Sequence, residues 1–233
     1  MIFRYLDLLD ISFPLFLAFF GSVLAALLLG IVLHEFSHAL AAYALGDRTA
    51  YRLGRLSLNP KVHLDPVGTA MLFLIGFGWG KPVPFNPYDL RNGPRAGMAT
   101  VAAAGPFSNL VMASLLAIPI KLGWLPWHNP FAVFLSVSGW QFQDYVGLFL
   151  GSAVFLNVIL AVFNLIPLFP LDGFRIAVGV LPPDLSRSLA ELERYGPAIL
   201  IALLALPFLT GVNPLSEVMV PAVEGITGVL TGV

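Results

Sequence analysis

The sequence predicts an all-α polytopic membrane protein with about five to six transmembrane or re-entrant segments and a short Gly/Pro-rich, strand-like element at the membrane edge. Of its 233 residues, 58% are hydrophobic and 11% are charged, whereas soluble domains carry about 25% charged residues. Its mean hydropathy is +0.87. A chain of this length cannot hide so much apolar surface in a water-soluble core, so we expect one integral-membrane domain over residues 1–233.

Six apolar segments are separated by polar loops, and a helix needs about 20 residues to cross the hydrocarbon. The first segment is long enough for one tilted helix, and it has no small-residue cleavage site of a signal peptide. The second is too short to cross and is interpreted as a re-entrant or edge element. The fourth is interrupted by GWQFQD, so its span is predicted to start near Tyr145. The segments cover residues 12–46, 67–79, 96–120, 131–163, 196–212 and 216–232.

Charge and cysteine content exclude several functions. The net charge is −1, so no polyanionic partner such as a nucleic acid is indicated. The sequence has no Cys, which excludes disulfides, thiolate zinc sites and Cys nucleophiles. Seven of the twelve basic residues lie between Gly46 and Gly97, and the positive-inside rule places this face in the cytoplasm. These seven are Arg48, Arg52, Arg55, Lys61, Lys81, Arg91 and Arg95.

The apolar stretch at residues 27–46 carries His34, Glu35 and His38 in its middle. His34 and His38 are four residues apart, which places both imidazoles on one face of a helix. His-Glu-x-x-His on a helix is typical of a zinc-binding pair with a carboxylate that acts as general base. The alternative is a chance pentapeptide with two hydrogen-bonded core histidines. Ionisable residues inside a membrane span are rare and usually functional, so we favour the metal site.

A catalytic zinc site needs a third protein ligand and keeps its fourth position for water. His63, in a polar loop, and His128, in an interfacial loop, are expected to be solvent-exposed or turn residues. Asp172 is the better candidate, because it follows a Pro-rich break beside an apolar span, where an uncompensated carboxylate is costly. Its alternative role is to cap the helix that starts near Phe174. Together with the histidine pair, the ligand role is favoured for Asp172.

Two long motifs, more than a hundred residues apart, carry a family resemblance. HEFSH resembles the first motif and NLIPLFPLDG the second motif of the site-2 proteases, intramembrane zinc metalloproteases that cut other membrane proteins within or near their transmembrane segments. GPFSN, LGDRTAYRLGRLSLNPKVHLDPVGT and GWGKPVPFNP resemble further segments of the short bacterial and archaeal branch, and this chain has no room for the PDZ or CBS modules of other branches. Phe174 departs from the pattern, since many relatives have a small residue there.

The resemblance implies a ligand set and catalytic roles within a single metalloprotease domain. His34, His38 and Asp172 would hold one Zn2+ per chain. Glu35 would take a proton from water and deliver it to the leaving amine. Zinc would lower the pKa of that water to about 7 in a site shielded from bulk solvent.

Three asparagines lie on segments that the resemblance places near the site. Asn164 is assigned a role in binding the substrate backbone, and Asn109, in GPFSN, an oxyanion or substrate contact. For all three the alternative is interhelical hydrogen bonding within the membrane. Asn157 lies seven residues before Asn164, on the same helix face, and for Asn157 we prefer that alternative.

The segment GWGKPVPFNPYDL has two interpretations of equal weight. A substrate helix must be unwound before its peptide bond can reach zinc, and an extended segment beside the site could pair with the exposed backbone by strand addition. Alternatively, the segment is an ordinary interfacial hairpin anchored by Trp79 and Lys81.

The expected metal depth suggests which side of the membrane the site faces. His34 lies twelve residues before Gly46, or about 18 Å along a helix. Zinc would therefore lie well below the surface and be reached from the cytoplasmic side of what we expect to be a prokaryotic cell membrane. The expected partners are a transmembrane protein substrate and the lipid bilayer, and no nucleic acid.

Two other functions use similar residues. A non-hydrolytic membrane metal-binding or transport protein would need the ligands but would not need the non-ligating carboxylate of Glu35. Another kind of membrane zinc protease would take a Glu as third ligand from a later helix, whereas the strongest candidate here is Asp172. Both features favour the intramembrane metalloprotease.

Overall fold

The computed structural model describes residues 13–75, 78–131 and 139–233. Within these ranges the chain is helical, as predicted, and it contains no named β-strand. The α-helices are α1 (Phe13–Ala44), α2 (Thr49–Arg52), α3 (Pro60–His63), α4 (Pro66–Ile75), α5 (Pro94–Lys121), α6 (Phe142–Asn164), α7 (Asp172–Val180), α8 (Pro183–Glu191), α9 (Gly196–Thr210) and α10 (Pro214–Thr231).

Four helical stretches in the described ranges are long and apolar enough to cross a membrane: α1, α5, α6 and the stretch Pro183–Thr210. The last combines α8, a 3-10 turn (Glu193–Tyr195) and α9. The start of α6 at Phe142 confirms the prediction of a span that begins near Tyr145. Together with the short α4, these stretches support the predicted polytopic helical class, and the number of full crossings beyond these four stays a prediction.

Helices α1, α5 and α6 pack against one another and form the core. One apolar cluster joins Phe19 and Val23 of α1 to Leu148 and Leu156 of α6. A second cluster joins small residues of α5 to Val154 and Val158 of α6 and to Val223 of α10. Small residues bring helix backbones close together in a membrane. The three-helix core therefore supplies the rigid frame on which the polar residues of α1 are held.

Helix α4 and the residues after it fold back as a hairpin beside α1. A side chain at Gly68 would lie 2.9 Å from Trp79, which shows how closely the two arms approach. Residues 76–77 lie outside the described residues. The returning arm pairs with the chain before α4 at a single antiparallel bridge between Leu64 and Gly80. Among the described residues, the predicted strand-like element is reduced to this one bridge.

Candidate metal centre

The three residues predicted as metal ligands come together in the structure. His34 and His38 lie one turn apart on α1, both are buried, and their ring centroids are 4.6 Å apart. Asp172 is the first residue of α7. One donor atom from each residue lies within 4.8 Å of the other two. The site thus joins two segments far apart in the sequence.

Local sequence explains how Asp172 reaches the histidines. The Pro-rich loop that follows α6 turns the chain back toward α1, and α7 begins directly after it. A side chain at Gly173 would lie 2.5 Å from the carbonyl oxygen of Ile166, so only glycine allows this tight return. The residue that precedes α7 is Leu171, and no side chain caps the helix there. The Asp172 carboxylate instead faces the two imidazoles.

Each histidine is oriented by a hydrogen bond behind it. The Nδ1 atom of His34 lies 2.6 Å from Oδ1 of Asn109, and Nδ1 of His38 lies 2.7 Å from the carbonyl oxygen of Val101. Both partners are acceptors, so each Nδ1 carries the proton. Each Nε2 therefore presents its lone pair toward Asp172, which is the arrangement that metal-ligating histidines generally adopt.

Asn109 and Asn157 form a chain of hydrogen bonds that connects His34 to α1, α5 and α6, and both asparagines are fully buried. Asn109 donates its amide protons to the carbonyl of Gly30, at 3.1 Å, and to Oδ1 of Asn157, at 2.7 Å. Asn157 in turn donates to the carbonyl of Ala153. The preferred interhelical role of Asn157 is confirmed. Since both Asn109 amide protons are used here, the geometry favours orientation of His34 over the predicted oxyanion or substrate contact.

Gly105 is a site residue whose role the sequence left open. It belongs to the GPFSN segment on α5 and lies directly against both imidazoles. A side chain there would lie 2.7 Å from Cε1 of His34 and 2.6 Å from Cε1 of His38, and would overlap Nε2 of His38. Only glycine leaves space for the histidine pair. The Gly-Pro pair inside a helix was the one signal in the sequence.

The donor set fits zinc. Oδ2 of Asp172 lies 3.1 Å from Nε2 of His34 and 3.2 Å from Nε2 of His38. Zinc bonds of about 2.0–2.2 Å in tetrahedral geometry place neighbouring donors about 3.3 Å apart. Oδ2 is buried and accepts no hydrogen bond from the described residues. Lone pairs from three groups thus converge on one point, an arrangement that a cation stabilises.

Glu35, next to His34 in the chain, and Asn164 are outside the donor group formed by the described residues. The Glu35 carboxylate is half-buried and faces the returning arm of the α4 hairpin. A side chain at Gly80 would lie 3.1 Å from its Oε1. Asn164, half-buried at the end of α6, donates to the carbonyl of Leu160 at 2.9 Å. Its predicted contact with substrate stays a prediction.

The two other histidines are outside the donor group formed by the described residues. His63 ends α3, as expected of a turn residue, but the expectation of solvent exposure is wrong because His63 is fully buried. Its Nε2 lies 2.5 Å from the carbonyl of Ser57. His128 pairs with Asp144 at 2.9 Å and stacks on Trp140. The alternative ligands are therefore engaged elsewhere.

The fold and the site define a protein of apolar membrane-type helices with a His-Glu-x-x-His helix and an Asp as third donor. Comparison with known proteins finds relatives that carry the name "Putative zinc metalloprotease". YwhC of Bacillus subtilis is 36% identical over 181 residues, 78% of each chain. Rip2 of Mycolicibacterium smegmatis is 33% identical over 190 residues, 80% of this chain and 68% of the relative.

A third relative, Rip2 of Mycobacterium tuberculosis H37Rv, is 31% identical over 198 residues, 82% of this chain and 70% of the relative. No protein-family model and no solved structure matches the chain. The identity and coverage of these relatives place the chain in one family with them. It belongs to the zinc metalloprotease family that includes YwhC and Rip2.

Proposed function

We propose that this protein is an intramembrane zinc metalloprotease of the site-2 protease type, which hydrolyses peptide bonds in or near transmembrane segments of membrane-protein substrates. The carrying observation is the convergence of His34, His38 and Asp172 on one point, with the histidines on a helix apolar enough to cross a membrane. Membership in a zinc metalloprotease family supports hydrolysis over metal storage or transport. Regulated release of a membrane-tethered protein is the process that such cleavage would serve.

The residues divide between holding the metal and moving protons. His34, His38 and Asp172 would hold one Zn2+. When bound, zinc lowers the pKa of water to about 7 and polarises the substrate carbonyl. The Glu35 carboxylate accepts the proton that the attacking water loses as its oxygen bonds to the carbonyl carbon. Glu35 then donates that proton to the amine nitrogen as the carbon–nitrogen bond breaks.

The neighbourhood of Glu35 supports strand addition as the mode of substrate binding. Lys81 N donates to the carbonyl of His63 at 2.7 Å, so Leu64 and Gly80 form the non-hydrogen-bonded pair of the bridge. The N–H and C=O of Gly80 therefore point away from Leu64, and neither pairs with a described residue. We infer that an unwound substrate backbone pairs with this free edge, beside Glu35, with Asn164 as a second contact.

The proposed setting is a prokaryotic cell membrane, with the site reached from the cytoplasm and residues 1–233 acting as one metalloprotease domain. The seven basic residues between Gly46 and Gly97 support this orientation. They follow the end of α1 at Ala44, and His34 and His38 lie in the half of α1 nearest that end. Membrane-embedded substrate and lipid are then the partners.

Cleavage of a single-span substrate by purified protein in detergent with zinc tests the proposal. Glu35→Gln is expected to retain zinc and to reduce kcat at least about 100-fold, because the proton acceptor is lost. The exposed residue Glu191 provides the matched control, Glu191→Gln, which should cleave like wild type. Cleavage by Glu35→Gln at the wild-type rate would show that the hydrolytic role is wrong.

A further inference from the structure

Arg55 is a buried arginine in the polar segment between α2 and α3, and its side chain points at the returning arm of the α4 hairpin. It is 6% exposed. One terminal nitrogen donates to the carbonyl of Pro82 at 3.2 Å, and the other donates to the carbonyl of Lys81. Among the described residues, no carboxylate lies within ion-pair distance of Arg55. A buried cation without a paired carboxylate carries a desolvation cost, which the two hydrogen bonds to carbonyls must help to offset.

The backbone of residues 80–84, here called the edge segment, explains why such a side chain is needed. Its pairing partner stops at His63, because the residues before it form α3, where Asn59 accepts from Lys61 N with its side chain and from Val62 N with its carbonyl. The carbonyls of Lys81 and Pro82 consequently have no neighbouring strand to supply donors. The guanidinium of Arg55 supplies both donors and so holds two consecutive backbone carbonyls of the segment.

This arrangement leaves the N–H and C=O of Gly80 for a ligand. His63 and Arg55 hold the backbone of Lys81 and Pro82, whereas the N–H and C=O of Gly80 point away from Leu64 beside Glu35. Resting on the proposed protease function, we propose that Arg55 is a positioning residue that fixes the edge segment so that Gly80 aligns the substrate backbone with Glu35. Its occupant is an extended peptide backbone, recognised by main-chain hydrogen bonds.

Two features make arginine the suitable residue. Its planar fork presents two N–H groups in fixed geometry to two carbonyls, whereas a lysine ammonium is a point donor on a flexible stem. Burial lowers the pKa of Arg55, and the negative charge of Glu35 opposes that shift. Glu35 thus acts on the guanidinium electrostatically. Arg55 therefore holds the edge segment by hydrogen bonds and interacts through charge with Glu35, the proposed proton carrier.

Steady-state cleavage by full-length Arg55→Lys and Arg55→Ala tests this role, with zinc content as the check on folding. Loss of one charge-assisted hydrogen bond should raise KM about tenfold in Arg55→Lys, with kcat within about twofold and zinc unchanged. Added guanidinium should lower the KM of Arg55→Ala again. The exposed neighbour Arg52 gives the matched control, Arg52→Lys, whose KM should equal that of wild type.

A binding measurement separates this inference from the proposed function. The affinity for a single-span substrate peptide is compared between Glu35→Gln and the double variant Glu35→Gln/Arg55→Lys, neither of which needs to cleave. About tenfold weaker binding by the double variant supports the inference. Equal binding, or a fall in kcat together with loss of zinc and no guanidinium rescue, overturns it. Absence of cleavage by wild type would instead count against the protease proposal alone.

Discussion

The histidine pair and the edge segment both lie beside Glu35, but they are held differently. The imidazoles are fixed from behind by buried hydrogen bonds that cross α1, α5 and α6. The edge segment is held by one backbone bridge, the Arg55 guanidinium and the packing of Val83, and the N–H and C=O of Gly80 pair with no described residue. A metal site needs ligands with locked orientation, whereas a surface that recognises backbone must keep donors and acceptors free. The candidate metal ligands are thus held rigidly, whereas the proposed substrate edge keeps a donor and an acceptor free.

The largest effect on the metal side is expected from Asp172→Asn. A neutral amide replaces the one anionic donor of the site. Zinc binding to structural sites typically has a free energy of about 10–16 kcal/mol, and we expect about a third of it to be lost. That loss lowers the zinc affinity by about two to four orders of magnitude. Zinc titration of the purified protein measures it. Asp184, which is 96% exposed, provides the control variant Asp184→Asn. Wild-type zinc affinity in Asp172→Asn would remove Asp172 from the ligand set.

Gly105→Ala should damage the metal centre through volume alone. The new methyl group would overlap both imidazoles, so at least one histidine must leave its rotamer. We expect zinc affinity to fall about 100-fold, the upper range for changes next to the ligands. Gly21, which lies on the same helix as the histidines and has open space around it, gives the control Gly21→Ala. Equal zinc affinity in both variants would contradict the close packing described here.

Asn109→Leu separates orientation of His34 from contact with substrate. Loss of the acceptor at Nδ1 should reduce zinc affinity about 10–100-fold, and Asn157→Leu, one step further from His34, should reduce it less. Both effects are read from zinc titrations and from kcat at saturating zinc. If Asn109→Leu keeps full zinc affinity and loses only kcat, the originally predicted oxyanion contact is the better assignment.

The smallest effect concerns the loop that joins the two regions. Asp47 is buried and accepts hydrogen bonds from Thr49 N and Oγ1 and from Asn86 N. Burial acts to raise the pKa of Asp47, but these hydrogen bonds outweigh it and lower the pKa below its ordinary value. The carboxylate therefore stabilises the fold above about pH 4, and this contribution is lost as the pH falls through the lowered pKa.

Asp47→Asn should consequently lower the free energy of unfolding by about 1–3 kcal/mol at pH 7, with zinc affinity unchanged. The difference between variant and wild type should shrink as the pH drops below about 4. Thermal unfolding in detergent at pH 7 and at pH 3 measures both values. A difference of the same size at the two pH values would rule out the charged form of Asp47 as its source.

Much of the site could be predicted from short-range patterns. The spacing of His34 and His38 puts both on one helix face whatever the rest of the chain does, because helical periodicity is local. Asp172 could be recognised because its Pro-rich surroundings and Gly173 exclude an ordinary membrane helix. His63 was misjudged for the opposite reason. Its loop is polar in composition, but His63 is buried where the returning arm of the α4 hairpin pairs with its carbonyl, and no local pattern shows that.

The sequence alone determined the helical class with membrane-type spans, the candidate metal-binding helix and the residue that completes the donor set, because composition, period and Pro/Gly content act within a few residues. The tertiary structure decided what holds and surrounds these groups: Asn109 behind His34, Gly105 against both rings, and Arg55 on the carbonyls of Lys81 and Pro82. Each of these contacts joins elements far apart in the chain. Their geometry depends on how the helices pack, and spacing along the sequence does not specify it.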